Sequence, residues 1–228
     1  MSLVSCATKY VVPGNRFITP ETQGGAFRGQ FEIQVTKGQE LTIDTSQGSI
    51  EEGVLYQEIP RTGFLYSNSF FDSLDLIWSH VGSGNSMLGG KFQFIGSPRT
   101  ANGVGHKLAL AALIGGNEHE TDDESVEFEL SGQEFMLIYG YRINENVLPY
   151  TSLSRSTYNF EGRIRMPGTS LNGKEPKLDT TINALNGGVE LSYNAFFAKL
   201  ECSYQQIATT DTKEKTGFLV GYSLGFSW

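Results

Sequence analysis

The last eleven residues set the tightest limit on what this chain folds into. From Phe218 the even positions read Phe218, Val220, Tyr222, Leu224, Phe226 and Trp228, while the odd ones read Leu219, Gly221, Ser223, Gly225 and Ser227. A period of two puts successive side chains on opposite faces of an extended strand, so one face is wholly apolar or aromatic. Eleven residues fit the roughly 9–11 that a tilted strand needs to cross a bilayer, whereas a soluble strand averages about five or six. Composition agrees: 228 residues include 27 Gly, 15 Phe and 10 Tyr, a mix that weakens helices and favours strands. The longest apolar run, Leu108 to Ile114, is seven residues, far short of the ~18 of a bilayer-spanning helix. Seventeen basic against 25 acidic residues leave a net charge of -8, which repels polyphosphate, so no nucleic-acid partner is expected.

The same alternation recurs upstream. Phe196, Ala198, Leu200, Cys202 and Tyr204 oppose Lys199, Glu201, Ser203 and Gln205; Val189, Leu191 and Tyr193 oppose Glu190 and Ser192. Tyr158, Phe160, Gly162, Ile164 and Met166 oppose Thr157, Asn159, Glu161, Arg163 and Arg165, and Phe135, Leu137, Tyr139 and Tyr141 face away from Glu134 and Arg142. Leu88, Phe92 and Phe94 alternate with Lys91 and Gln93, Leu74, Leu76 and Trp78 with Asp75, and Phe27, Phe31, Ile33 and Val35 with Arg28, Gln30, Glu32 and Gln34. Residues 108–114 are apolar on both faces and read as a strand by length, closed by Gly115-Gly116. Leu65 to Phe71 echoes the reversal at Leu191 to Phe197, which supplies a descending strand near 53–66. The sum is an all-β, closed, antiparallel up-and-down transmembrane barrel of ten strands, with eight as the alternative. Its longer loops fall near 44–52, 81–86, 116–125, 167–177 and 210–216.

On this pattern, and on the strand ending in Tyr222, Leu224, Phe226 and Trp228, the chain resembles the small outer-membrane β-barrel proteins of Gram-negative bacteria. The resemblance implies that those four residues form the signal read by the barrel-assembly machinery. It also implies an outer-membrane location among lipid and lipopolysaccharide. Leu3-Val4-Ser5-Cys6 looks like a lipoprotein lipobox with Cys6 as the acylated residue, although the charged and apolar regions of a leader do not precede it. Residues 1–24 therefore read as a trimmed signal and an extended tether, rich in Pro and Gly, held at the periplasmic leaflet. Residues 25–228 read as the barrel. Cys202 reads as a small lipid-facing residue, and two cysteines make no disulfide framework.

Read as inward-facing, Arg28, Lys91, Arg142, Arg155, Arg163, Arg165 and Lys199 stand with Glu32, Asp75, Glu134, Glu161, Glu190 and Glu201. Mixed signs at this density predict ion pairs that fill a narrow lumen. Catalytic signals are sparse. Ser79 and His80 point to opposite faces of one strand, and His106 sits in phase with Leu108 among interfacial rings. The run Glu118, His119, Glu120, Asp122 and Asp123 is a candidate cation site, though a charged loop is ordinarily only solvated. No cofactor is expected. The expected role is an envelope structural or surface-interaction barrel without catalysis. A porin-like carrier of small solutes and a membrane-embedded lipid hydrolase or protease are the alternatives, and a soluble ligand-binding barrel is the alternative fold.

Overall fold

A computed structural model describes residues 7–44, 51–81, 85–101, 103–120, 126–165, 167–168, 170–209 and 215–228. The strands are β1 (Ala7–Pro13), β2 (Gly29–Asp44), β3 (Glu51–Phe71), β4 (Leu74–Val81), β5 (Asn85–Ile95) and β6 (Gly105–Glu120), then β7 (Val126–Arg142), β8 (Val147–Ile164), β9 (Lys177–Tyr193), β10 (Phe196–Thr209) and β11 (Lys215–Ser227). From β2 to β11 each strand pairs antiparallel with the next, and β11 returns to pair with β2. The protein is thus a closed barrel of ten antiparallel strands. Closure satisfies the backbone donors and acceptors that an open sheet leaves at its edges.

The reversals at 72–73, 143–146 and 194–195 share one end of the barrel, here the turn end. Asn194 takes a positive φ of 54°, a left-handed conformation that Asn tolerates better than most residues and that suits a two-residue reversal. The sequence echo placed the first reversal just after residue 66, but β3 runs on to Phe71 and turns at Asp72-Ser73. The longest connection at the turn end, 96–104, folds back over the mouth, where Lys107 Nζ donates to the Ser97 carbonyl at 2.7 Å and Arg99 N donates to the Thr22 carbonyl at 2.9 Å.

Through most of the wall the expected phase holds. Leu110, Leu137, Leu153, Leu185, Leu200, Leu224 and Phe226 are exposed on the outside, while Glu32, Asp75, Lys91, Glu134, Glu190, Lys199 and Glu201 are buried inside. The loop-end half of β8 is different. Tyr158, Phe160 and Ile164 point inward and join Phe128, Leu130, Leu171, Leu178, Ile182 and Ile207 in a buried apolar cluster. Glu161, Arg163 and Arg155 point outward with Thr157 and Asn159. Beyond the apolar belt the pattern is that of a protein standing in water, with oil inside and ions outside, and a period of two fits either arrangement equally well.

The N-terminal residues differ most from expectation. Ala7–Pro13, read as part of a tether, forms β1 and pairs with the loop-end half of β2 from Gly38 to Asp44, beyond a bulge at Lys37. The β11 pairing occupies the other half of β2, from Gln30 to Val35. Residues 14–24 then run down the inside of the barrel, and the chain leaves at the turn end, where Phe27 N donates to the Ser69 carbonyl before β2 begins. Cys6 lies outside the described residues. Its neighbour Ala7 pairs with Asp44 at the loop end, opposite the turn end at which the tether was expected to be held.

Candidate functional site

The interior of the barrel is built around residues 14–24, and these residues bond individually to side chains from β2 to β8 and from β10. At the loop-end side, Asn15 N donates to Thr36 Oγ1 at 3.1 Å and Asn15 Nδ2 to the Glu201 carbonyl at 3.0 Å. Arg16 N and Phe17 N both donate to the Glu201 carboxylate, at 2.9 and 3.1 Å. Two successive N–H groups converge there because Phe17 adopts a φ of 55°. This left-handed residue turns the backbone into a small anion-holding concavity, at a cost of order 1 kcal/mol or more that the surrounding contacts must offset. Tyr150 OH donates a third bond to Glu201 at 2.9 Å. Close approach also needs room on the facing wall: a Cβ at Gly221 of β11 would lie 2.7 Å from Asn15 Oδ1 and 2.8 Å from the Phe17 ring.

The charged groups form a continuous set. Arg16 Nε donates to Glu134 at 2.9 Å and its Nη2 to Tyr158 OH at 2.6 Å. Lys199 Nζ pairs with Glu32 at 2.5 Å and donates to the Phe17 carbonyl at 2.8 Å. Lower down, Glu21 accepts from Arg142 at 2.5 and 2.7 Å and lies 3.4 Å from Lys107 Nζ. Arg142 and Arg99 share Glu190, at 3.1 and 3.0 Å. Lys91 pairs with Asp75 at 3.2 Å and donates to the Glu21 carbonyl. Thr22 and Gln23 finish the descent on Gln93, Asp75 and Gln30. Six carboxylates (Glu21, Glu32, Asp75, Glu134, Glu190, Glu201) thus face six cations (Arg16, Lys91, Arg99, Lys107, Arg142, Lys199). Such ions are tolerated away from water only when paired and hydrogen-bonded, because desolvation costs several kcal/mol per ion. Ile18 fills the remaining side, packed with Leu65, Ile77, Met87, Ala111, Leu113, Met136 and Ile138.

Of the residues expected to face inward, Glu32, Lys91, Glu134, Arg142, Glu190, Lys199 and Glu201 come together in this interior, with Asp75. Arg28 is exposed at the turn end, and Arg155, Glu161, Arg163 and Arg165 stand on the outside, so those five are corrected. The last three meet acids or bases near the loop end: Arg163 with Glu175 at 3.4 Å, Arg165 with Glu127 at 2.7 Å, and Glu161 with Lys177 at 2.9 Å, all well exposed. Exposed pairs contribute little, so replacing Arg165 by Gln is expected to shift unfolding free energy by no more than about 0.5 kcal/mol, read from denaturant midpoints. Sequence reasoning missed Arg16, Glu21, Arg99 and Lys107. The first two lie in a stretch without periodicity, and Arg99 lies in a connection. Lys107 alone carried a signal, since it shares the phase of inward Ala109 and Ala111.

The other candidates resolve differently. His80 Nδ1 lies 2.8 Å from Ser86 Oγ on the neighbouring strand and stacks on Phe64, so its serine partner is Ser86 and not Ser79. No carboxylate among the described residues meets its other ring nitrogen, so nothing orients the pair as a nucleophile and base. His106 Nδ1 is 2.8 Å from Tyr139 OH and lies edge-on to Tyr141 on the outer wall. Asp122 and Asp123 lie outside the described residues, while Glu118, His119 and Glu120 continue the backbone ladder of β6 against β7. Among the described residues no cluster has the composition of a metal site. Cys202 is a free, half-buried thiol in phase with outward Leu200 and Tyr204.

Fold and interior together define a closed ten-strand barrel whose core is its own N-terminal segment. No family model matches the chain, and no curated protein does. Among solved structures it is similar to the outer membrane channel DcaP of Acinetobacter baumannii. The identity is 6%, over 98% of this chain and 97% of that one, with a TM-score of 0.23, an overlap too loose to bear on function.

Proposed function

We propose that the protein is an outer-membrane β-barrel shut by its own residues 14–24, with a structural or surface-interaction role in the envelope rather than a role in solute passage. The observation that carries this reading is the filled interior: residues 14–24 are strung through the barrel, with six acids and six bases in contact around them. Membrane residence is supported by the outer belt. From the row of Leu137, Leu153 and Leu185 to that of Tyr193, Phe196 and Phe226, the outward side chains are mostly apolar or aromatic. The eight residue steps from Leu185 to Tyr193 cover about 26 Å along the strand, or about 20 Å of height at a tilt of roughly 40°, near the ~25 Å band of such barrels. An apolar surface of this extent is not left to water by a soluble monomer. In this setting the turn end is periplasmic, the surrounding partners are bilayer lipid and lipopolysaccharide, and the aromatic strand ending in Phe226 and Trp228 is what the assembly machinery engages.

The test is electrical. The intact chain, extracted in detergent and migrating differently before and after boiling, is expected to add no steady unitary currents to a planar bilayer. Regular openings from the intact chain would establish the solute-carrier alternative in its place. Recovery of a folded monomer without detergent would remove the membrane altogether.

A further inference from the structure

The outer wall holds a feature that the closed interior does not use. Across β4 to β10 the wall is indented, leaving an apolar groove of about 930 Å³ floored by the small residues Gly90 and Ala112 and walled by Phe92, Leu110, Phe135 and Leu137. At its loop-end rim stands Arg155, in register with Phe135 on β7 and with Asn183 on β9. Immediately beyond, further along these strands, a second groove of about 430 Å³ is lined by Ile114, Gln133, Thr157, Asn159, Asp179 and Thr181. The oily groove therefore runs into one lined by hydroxyls, amides and the Asp179 carboxylate, an acceptor for sugar hydroxyls, with the Arg155 guanidinium at the junction, which places a phosphate on the Arg155 side.

Arg155 differs from the other outward cations of this wall. Arg163, Arg165 and Lys177 each have a carboxylate within ion-pair distance, whereas Arg155 has none among the described residues. It sits at the upper edge of the belt, where a bilayer's head groups lie in the proposed setting, and a planar fork of donors there matches a phosphate oxygen pair. Asn159 lines the polar groove, and its buried Oδ1 has no donor among the described residues. Resting on the membrane reading above, we infer that this is a binding site for one phosphorylated, acylated glycolipid of the leaflet at the loop end. Its acyl chains lie in the apolar groove, its phosphate accepts from Arg155, and its sugar hydroxyls meet Gln133, Thr157, Asn159 and Thr181. A plain phospholipid fills the first groove and reaches Arg155 but leaves the second group of side chains unread.

The full chain in dodecylmaltoside, titrated by native mass spectrometry with a monophosphorylated acylated glucosamine disaccharide, is expected to retain one molecule per barrel. Phosphatidylglycerol in the same titration is expected to be held more weakly. Arg155→Gln is expected to weaken retention of the disaccharide about tenfold or more, the scale of a charge-assisted bond. Arg163→Gln is expected to leave it unchanged, and Ala112→Trp, which fills the groove, to abolish it. Equal retention by intact protein and Arg155→Gln, equal retention of phosphatidylglycerol, or no retention at all overturns the site. Heat-modifiable migration of the same samples separates the two levels: if it persists while retention fails, the site alone is lost, and if the intact chain lacks it, the membrane reading falls with the site.

Discussion

Deleting residues 7–24 while keeping β2 to β11 is expected to give a conducting barrel, where the intact chain is expected to be silent. Every group the segment neutralises faces the interior. Without it Glu134 loses Arg16, Glu201 loses two backbone donors, and Arg142 and Lys107 lose Glu21. Ions left without partners in a dry interior draw in water, because solvation replaces what the missing partner supplied. The ring from β2 round to β11 and back is paired without residues 7–24, whose β1 only adds a ladder along the loop-end half of β2, so the deleted chain should still migrate as a heat-modifiable barrel. Unitary openings in planar bilayers are the expected result. A deletion variant that folds and stays silent would mean that another element shuts the passage, with the apolar cluster around Phe128, Tyr158 and Phe160 the first to examine.

The second large effect is expected at Glu21. Its carboxylate is buried, accepts two bonds from Arg142 and faces Lys107, while its carbonyl accepts from Lys91. Glu21→Ala leaves two buried cations short of an anion, and breaking such a set from one side costs about 3–5 kcal/mol. The loss should appear as a lower denaturant midpoint with an unchanged slope, since the surface exposed on unfolding is nearly the same. Replacing Glu21 and Arg142 together should cost less than the two single changes added, because the second change removes a cation that the first had stranded. Arg99 remains to balance Glu190 in that double variant. Strict additivity would mean that the two residues do not act on one another.

How much of this was legible in the sequence depends on what surrounds each residue. In the belt the surroundings are simple: Leu200 and Leu224 outside against Lys199 and Ser223 inside make an alternation whose sense follows from oil without and ions within. At Tyr158 to Ile164 the alternation is as regular but its sense is reversed, because there the inside is a small apolar core and the ions stand outside. Period alone carries no sign. Read with the wrong sign, Glu161 and Arg163 go inside. The interior segment is illegible for another reason. Asn15, Glu21, Thr22 and Gln23 repeat no interval because their partners are spread over β2, β4 to β7 and β10, 7 to 186 residues away. Polar residues among Pro13, Gly14 and Pro20 have the composition of a solvated linker.

The run of chain through the barrel has a consequence for how the molecule is made. Ala7 is near one rim, Gly25 near the other, and the hoop between them is continuous, so the finished object is a bead on its own string. Either the free end is drawn through the whole height of a finished hoop, or the hoop is clasped around a string already laid in place. The clasp is where β11 meets β2, joined over only six residue pairs, the shortest join in the ring. A short clasp beside the string favours the second course, in which the knot of buried charges forms first and the wall is buttoned over it.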